Sequence, residues 1–142
     1  MNLSIDVLLV VILSAFIGKS TTSKILYQNK TGKTDLLILE HVHALPEVKD
    51  WFITAKRSKP GLILNEPNLK SKYYSVQVGI GNNGMFRTSY YLYVDPKNFS
   101  IYYWDQLDTA NSLITLQQWR HWRSNPGFRK IHEYRNGKLV IL

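Results

Sequence analysis

Chemistry in this chain would have to come from three groups of residues. The first is Trp119-Arg120-His121-Trp122-Arg123, continued by Phe128-Arg129-Lys130, where rings and cations alternate. Such mixing suits a partner carrying flat apolar surface and negative charge together. Single-stranded nucleic acids offer both, since bases stack on rings while guanidinium groups meet phosphates; anionic lipid headgroups and acidic glycans offer both as well. The competing reading is structural, with Trp119 and Trp122 packed inward and Arg120 and Arg123 reaching water. The second group is His41 and His43. On a helix, residues two apart point about 200° from one another, whereas helical metal pairs sit at i, i+4. No metal site is expected. The third group is Asp95, Asp105 and Asp108. They fall near hairpin ends, where Asp is ordinarily a turn residue.

Hydrolytic catalysis needs a nucleophile with a base, or two carboxylates held apart. The ten acidic residues form no such motif, and no Gly-x-Ser-x-Gly occurs. The chain has no cysteine, which excludes disulfides, thiol catalysis and Cys-ligated zinc. The expectation is a non-enzymatic protein with no catalytic residues and no cofactor. Its formal charge of +8 favours acidic partners.

The elements that position these residues follow from periodicity. Thr34 reads as an N-cap before Asp35, and Leu36, Leu39, Val42 and Leu45 recur at helical spacing. Pro46 removes a backbone donor, so a second helix restarts there and runs to about Arg57, with Val48, Trp51, Phe52 and Ala55 inward. Leu62 to Leu64 is a short strand. Tyr73 to Ile80 alternates, Gly81-Asn82-Asn83-Gly84 turns, and Thr88 to Val94 returns. Asp95-Pro96-Lys97-Asn98 turns again into Ile101 to Trp104. The fold class is therefore α+β: N-terminal helices on one face of a four-stranded antiparallel meander, with a short C-terminal helix and hairpin. Thr115 and Gln118 form a capping box for that helix, which ends near Arg123. Arg135-Asn136-Gly137-Lys138 turns the final hairpin. The helices cover the aliphatic sheet face. The other face collects Tyr73, Tyr91, Tyr93, Tyr102 and Trp104, more ring surface than a lone protein leaves in water.

The N-terminus reads as an address. Val7 to Ile17 is an apolar run too short for a span, which needs about 20 residues, and it fits a signal-peptide core. Residues 1–20 are expected to be a signal peptide, 21–33 a polar lead-in, and 34–142 a single α+β domain. The expected location is periplasmic or secreted, with no stable membrane span after cleavage. Export also argues against a nucleic-acid partner.

Several stretches share a pattern: Leu-Pro-Glu-Val-Lys-Asp-Trp (45–51), Tyr-Tyr-Ser-Val-Gln-Val-Gly (73–79), Tyr-Tyr-Leu-Tyr-Val-Asp-Pro-Lys (90–97), Ile-Tyr-Tyr-Trp-Asp (101–105) and Leu-Ile-Thr-Leu-Gln-Gln-Trp-Arg (113–120). Together they resemble small exported bacterial proteins with a PepSY-like, broadly cystatin-like domain, over about Asp35 to Arg123. Such families have an Asp-x-x-x-Gly hairpin at the position of Val94-Asp95-Pro96-Lys97; here Asn98-Phe99 stands where Gly is usual. The resemblance implies a module that binds or inhibits peptidases and other envelope proteins, and it brings no catalytic residues with it. The expected binding residues are Tyr91, Tyr93, Tyr102 and Trp104 on the sheet, and Trp119, Arg120, Trp122 and Arg123 in the C-terminal segment. The expected partner is an envelope or secreted protein. The alternative is an immunity or accessory protein that neutralises an acidic toxin or enzyme by charge.

Overall fold

The computed structural model describes residues 32–82 and 84–142. The expected signal peptide and nearly all of the lead-in lie outside the described residues. The first helix, α1 (Lys33–His43), starts two residues earlier than an N-cap at Thr34 would have it, and its N-cap is Gly32. Asp35 does the capping: its carboxylate accepts the Gly32 N–H at 2.9 Å. The buried stripe of α1 is Asp35, Ile38, Leu39 and Val42, while Leu36 is 42% exposed. The expected stripe holds at Leu39 and Val42 and fails at Leu36, for a geometric reason. A strict three-residue spacing drifts around an α-helix, so positions 36 and 45 stand about 180° apart. Leu45 is reached differently, as the extended N-cap residue of α2 (Pro46–Thr54), which has Pro at its start. Val48 and Phe52 of α2 are buried, and Trp51 packs against them from the edge. A 3-10 turn (Lys56–Ser58) follows, where the sequence suggested continued helix to Arg57.

The main sheet has five strands, not four, in the order β1 (Pro60–Asn65), β2 (Tyr74–Asn82), β3 (Met85–Val94), β4 (Ile101–Trp104), β5 (Leu113–Thr115), all antiparallel. The missed strand, β5, is three residues long and pairs Ile114 with Tyr103. Too short to show alternation, it has no signature of its own. The β2–β3 ladder carries a bulge between Val78 and Gly79. Only glycine fits there, because a Cβ on Gly79 would stand 2.1 Å from the Arg87 carbonyl oxygen.

The helices α1 and α2 lie on one sheet face. Ile38, Val42 and Val48 meet Leu62, Val76, Val78, Leu92 and Val94, all at or near zero exposure. Each fully buried side chain of this kind contributes about 1.5–3 kcal/mol relative to exposure. The C-terminal helix α3 (Leu116–Trp122) begins at the expected capping box: Thr115 Oγ1 accepts the Gln118 N–H, and Gln118 Oε1 accepts the Thr115 N–H at 2.9 Å. A second 3-10 turn (Pro126–Arg129) leads into a separate hairpin, β6 (His132–Arg135) and β7 (Lys138–Ile141). Its turn is the expected one, with Asn136 and Gly137 both at positive φ, 50° and 72°.

Candidate functional site

Strand alternation splits the expected binding residues between two surfaces. In β3, Leu92 and Val94 face the helices, so Tyr91 and Tyr93 face away. In β4, Ile101 and Tyr103 pack toward the core and Tyr102 and Trp104 point outward. The outward rings touch one another. Trp104 meets Tyr91 edge-on at 5.2 Å and Tyr93 edge-on at 6.1 Å, and Tyr102 lies 5.6 Å from Tyr73. These are favourable geometries for rings with negative faces and positive edges. All five residues are half-buried, yet none belongs to either hydrophobic core. They pack on one another, and Lys72 of the β1–β2 loop lies 5.1 Å over the Tyr73 ring. Gln77 and Thr88 border the patch, joined by a 2.7 Å hydrogen bond.

The C-terminal segment lies on the opposite side, the side of the helices. Trp119 is buried at 6% exposure, stacked on Tyr103 at 4.8 Å and 7°, and 5.5 Å from Tyr90. Trp122 is half-buried against Tyr134 and His121. Arg120 does not simply reach water. Its Nε donates to Glu47 Oε1 at 2.7 Å and its Nη2 to Oε2 at 3.2 Å, tying α3 to α2. These hydrogen bonds hold the Glu47 carboxyl below the usual carboxylate range, against the opposing cost of its burial. Arg123 stands 5.3 Å over the Trp119 ring, and its Nη1 is 3.8 Å from Glu47. The expected set is thus two sites: a ladder of rings outside, and a ring-and-arginine edge inside. Together with Tyr90, Tyr103, Phe128 and Arg129, Trp119 and Arg123 border a cleft of about 590 Å³.

No protein-family model, curated protein or solved structure matches this chain. The site is therefore read from its own geometry. Among the described residues, no group of three or more His, Asp or Glu side chains is placed to hold a metal ion, and no helix is long and apolar enough to cross a membrane. His41 and His43 diverge as their spacing required: His41 stacks on Phe99 at 4.7 Å, and His43 meets Phe52 edge-on at 4.9 Å. Burial, and then Lys49, lower the His43 pKa.

Sequence reasoning missed one polar cluster. Asp105 and His132, 2% and 0% exposed, meet through Oδ2 and Nε2 at 2.9 Å, and the Tyr134 hydroxyl donates to the same oxygen. Asp105 Oδ1 accepts the N–H groups of Leu107 and Asp108, the turn role expected of it. Asp108 accepts from the N–H and hydroxyl of Ser112. Complete burial of His132 removes it from any substrate, so the cluster is a fastening between the β4–β5 loop and the last hairpin. Its signal was absent because Asp105 and His132 are 27 residues apart.

Proposed function

We propose that this protein is an exported, non-enzymatic binding or inhibitory module, and that it takes an envelope or secreted protein on the outer face of its sheet. The observation that carries the reading is the ladder Tyr73–Tyr102 and Tyr91–Trp104–Tyr93, five half-buried rings that pack on one another and belong to neither hydrophobic core. Rings of this kind lose little side-chain entropy on binding and present large contact area, which is why Tyr and Trp dominate binding hot spots. The net charge of +8 suits a partner with an apolar patch inside an acidic rim. The PepSY-like, cystatin-like relationship and the export signal rest on sequence motifs alone and belong to the same proposal.

The test is capture from cell-envelope extract on the full chain, followed by direct binding of the purified candidate. The comparison protein carries Tyr91→Ser, Tyr102→Ser and Trp104→Ser, with its fold checked by circular dichroism. Direct binding that survives salt and is lost in the triple variant supports the reading. Equal binding by both proteins sinks it. The exposed Arg123 and Arg129 favour the second reading, neutralisation of an acidic toxin or enzyme by charge, which requires binding that weakens steeply with salt.

A further inference from the structure

On the side away from the ring ladder, β3, β4, Leu107 of the β4–β5 loop, α3 and the second 3-10 turn border the open cleft of about 590 Å³, within the size range of small-molecule sites. Its floor is the half-buried Tyr103 ring with the edges of Trp119 and Phe128, which are 6% and 8% exposed; Tyr103 and Arg123 already lie over the Trp119 ring. Tyr103 and Trp119 lie nearly parallel, 4.8 Å apart, and Phe128 stands 5.9 Å from Tyr103. Its rim carries donors: the guanidinium groups of Arg123 and Arg129 and the hydroxyl of Ser89, while the Ser124 hydroxyl already donates to the His121 carbonyl at 3.3 Å. Among the described residues no carboxylate lines it.

Which donors are spent can be counted. The Tyr90 hydroxyl donates to the Glu47 carbonyl at 3.2 Å. Arg120 occupies both Glu47 carboxylate oxygens at 2.7 and 3.2 Å. Arg123 is left 3.8 Å from Glu47, beyond hydrogen-bond reach, and is steadied instead over the Trp119 ring. Arg129 forms no ion pair among the described residues, and its backbone is set by the turn in which Asn125 Oδ1 accepts the Gly127 N–H. Two guanidinium forks with unspent donors thus border a floor of stacked rings. A planar apolar body satisfies the floor, and an oxyanion satisfies the forks, which match carboxylate and phosphate oxygens two at a time.

We propose that this cleft binds a planar aromatic molecule bearing an oxyanion. The ring lies against Tyr103 and the edges of Trp119 and Phe128, and the anion faces Arg123 and Arg129. Carboxylate and phosphate share this chemistry, so both are probes. The site is independent of the outer ladder, which occupies the other sheet face.

The experiment is calorimetric titration of the full chain with phenylacetate and with phenyl phosphate, and with benzyl alcohol as the uncharged control. At least one anion is expected to bind saturably, benzyl alcohol at least tenfold more weakly. Arg129→Gln is expected to weaken the anion about tenfold, and Arg87→Gln, an exposed arginine outside the cleft, to leave it unchanged. Arg123→Gln serves as the second cleft variant, and thermal melts confirm that each protein is folded. The anion preferred by the wild type distinguishes a carboxylate from a phosphate ligand. Absence of binding by both anions overturns the proposal. So does equal binding of benzyl alcohol, or an affinity that neither cleft substitution alters.

Discussion

Asp105 is the polar residue with most at stake. Its two carboxylate oxygens accept from Leu107, Asp108, Tyr134 and His132, all within 3.3 Å. The other ring nitrogen of His132, Nδ1, lies 2.7 Å from the Lys130 carbonyl, which can only accept. His132 therefore donates through Nδ1, and its Nε2 lies 2.9 Å from Asp105 Oδ2. A buried hydrogen-bonded pair loses heavily when one member is removed, because the other stays buried and unpaired. Asp105→Ala is expected to destabilise the fold by about 3 kcal/mol or more, read as a lower urea midpoint, whereas the exposed Asp50→Ala moves it little. Half-buried tyrosines provide the pH dependence, Tyr103 among them. Burial first, and Asp105 second, push its hydroxyl up to about 12. Burial raises Tyr90 and Tyr134 as well. The folded state keeps protons that the unfolded chain releases near 10. Stability is therefore complete below that pH and falls as pH rises from about 10 toward 12. Urea midpoints across this range are expected to drop, and Tyr103→Phe to flatten the drop.

At the scale of elements, turns decide how strands follow one another. The β3–β4 turn has Asp95 Oδ1 accepting the Lys97 N–H at 2.9 Å, and Asn98 Oδ1 accepting the Ser100 N–H at 2.9 Å. Phe99 then takes φ of 57°. That is the place where glycine would be usual, and a bulky side chain is strained there by about 1–2 kcal/mol. Its ring repays part of the strain by stacking on His41 and packing against the main core. The two contributions can be separated. Phe99→Ala loses the packing and keeps the strain, while Phe99→Gly loses the packing and relieves the strain. The glycine variant is expected to be the more stable of the two by about 1 kcal/mol, measured by chemical denaturation. A reversed order would mean that the backbone relaxes out of the left-handed region when the ring is removed.

At the scale of the molecule, the sheet separates two surfaces. Rings on alternate positions of β3 and β4 belong to opposite faces, so Tyr91 and Trp104 cannot contribute to the cleft that Tyr90 and Tyr103 line. The surfaces are expected to act additively, as distant sites do. Tyr91→Ser with Trp104→Ser leaves phenyl phosphate affinity unchanged, and Arg129→Gln leaves protein capture by the outer face unchanged. Calorimetry and capture on the same set of variants check this. Strong mutual effects would point to a shared conformational change across the sheet.

What could be read from the sequence was local. The restart at Pro46, the Thr115–Gln118 capping box, the Asn136-Gly137 turn and the alternation of β2 to β4 each depend on neighbours within a few positions. So does the division of rings along β3 and β4, since successive side chains in a strand must point to opposite faces. Pairing across the chain was not legible. Arg120 and Glu47 meet across 73 positions, and Asp105 finds His132 only once the last hairpin docks. The side on which α3 lies was equally open: nothing in Trp119 to Arg123 says whether those rings cover the outer tyrosines or join the core. The structure places them with the core, where Trp119 stacks on Tyr103 and buries its ring. The physical reason is the range of the interaction. Caps, turns and alternation come from backbone geometry over a few residues, so the sequence by itself determined the longer elements and the faces of β2 to β4, but not β5 or the α1 cap. Burial and ion pairing are settled by whichever surfaces the chain brings together, and that choice exists only in the tertiary structure.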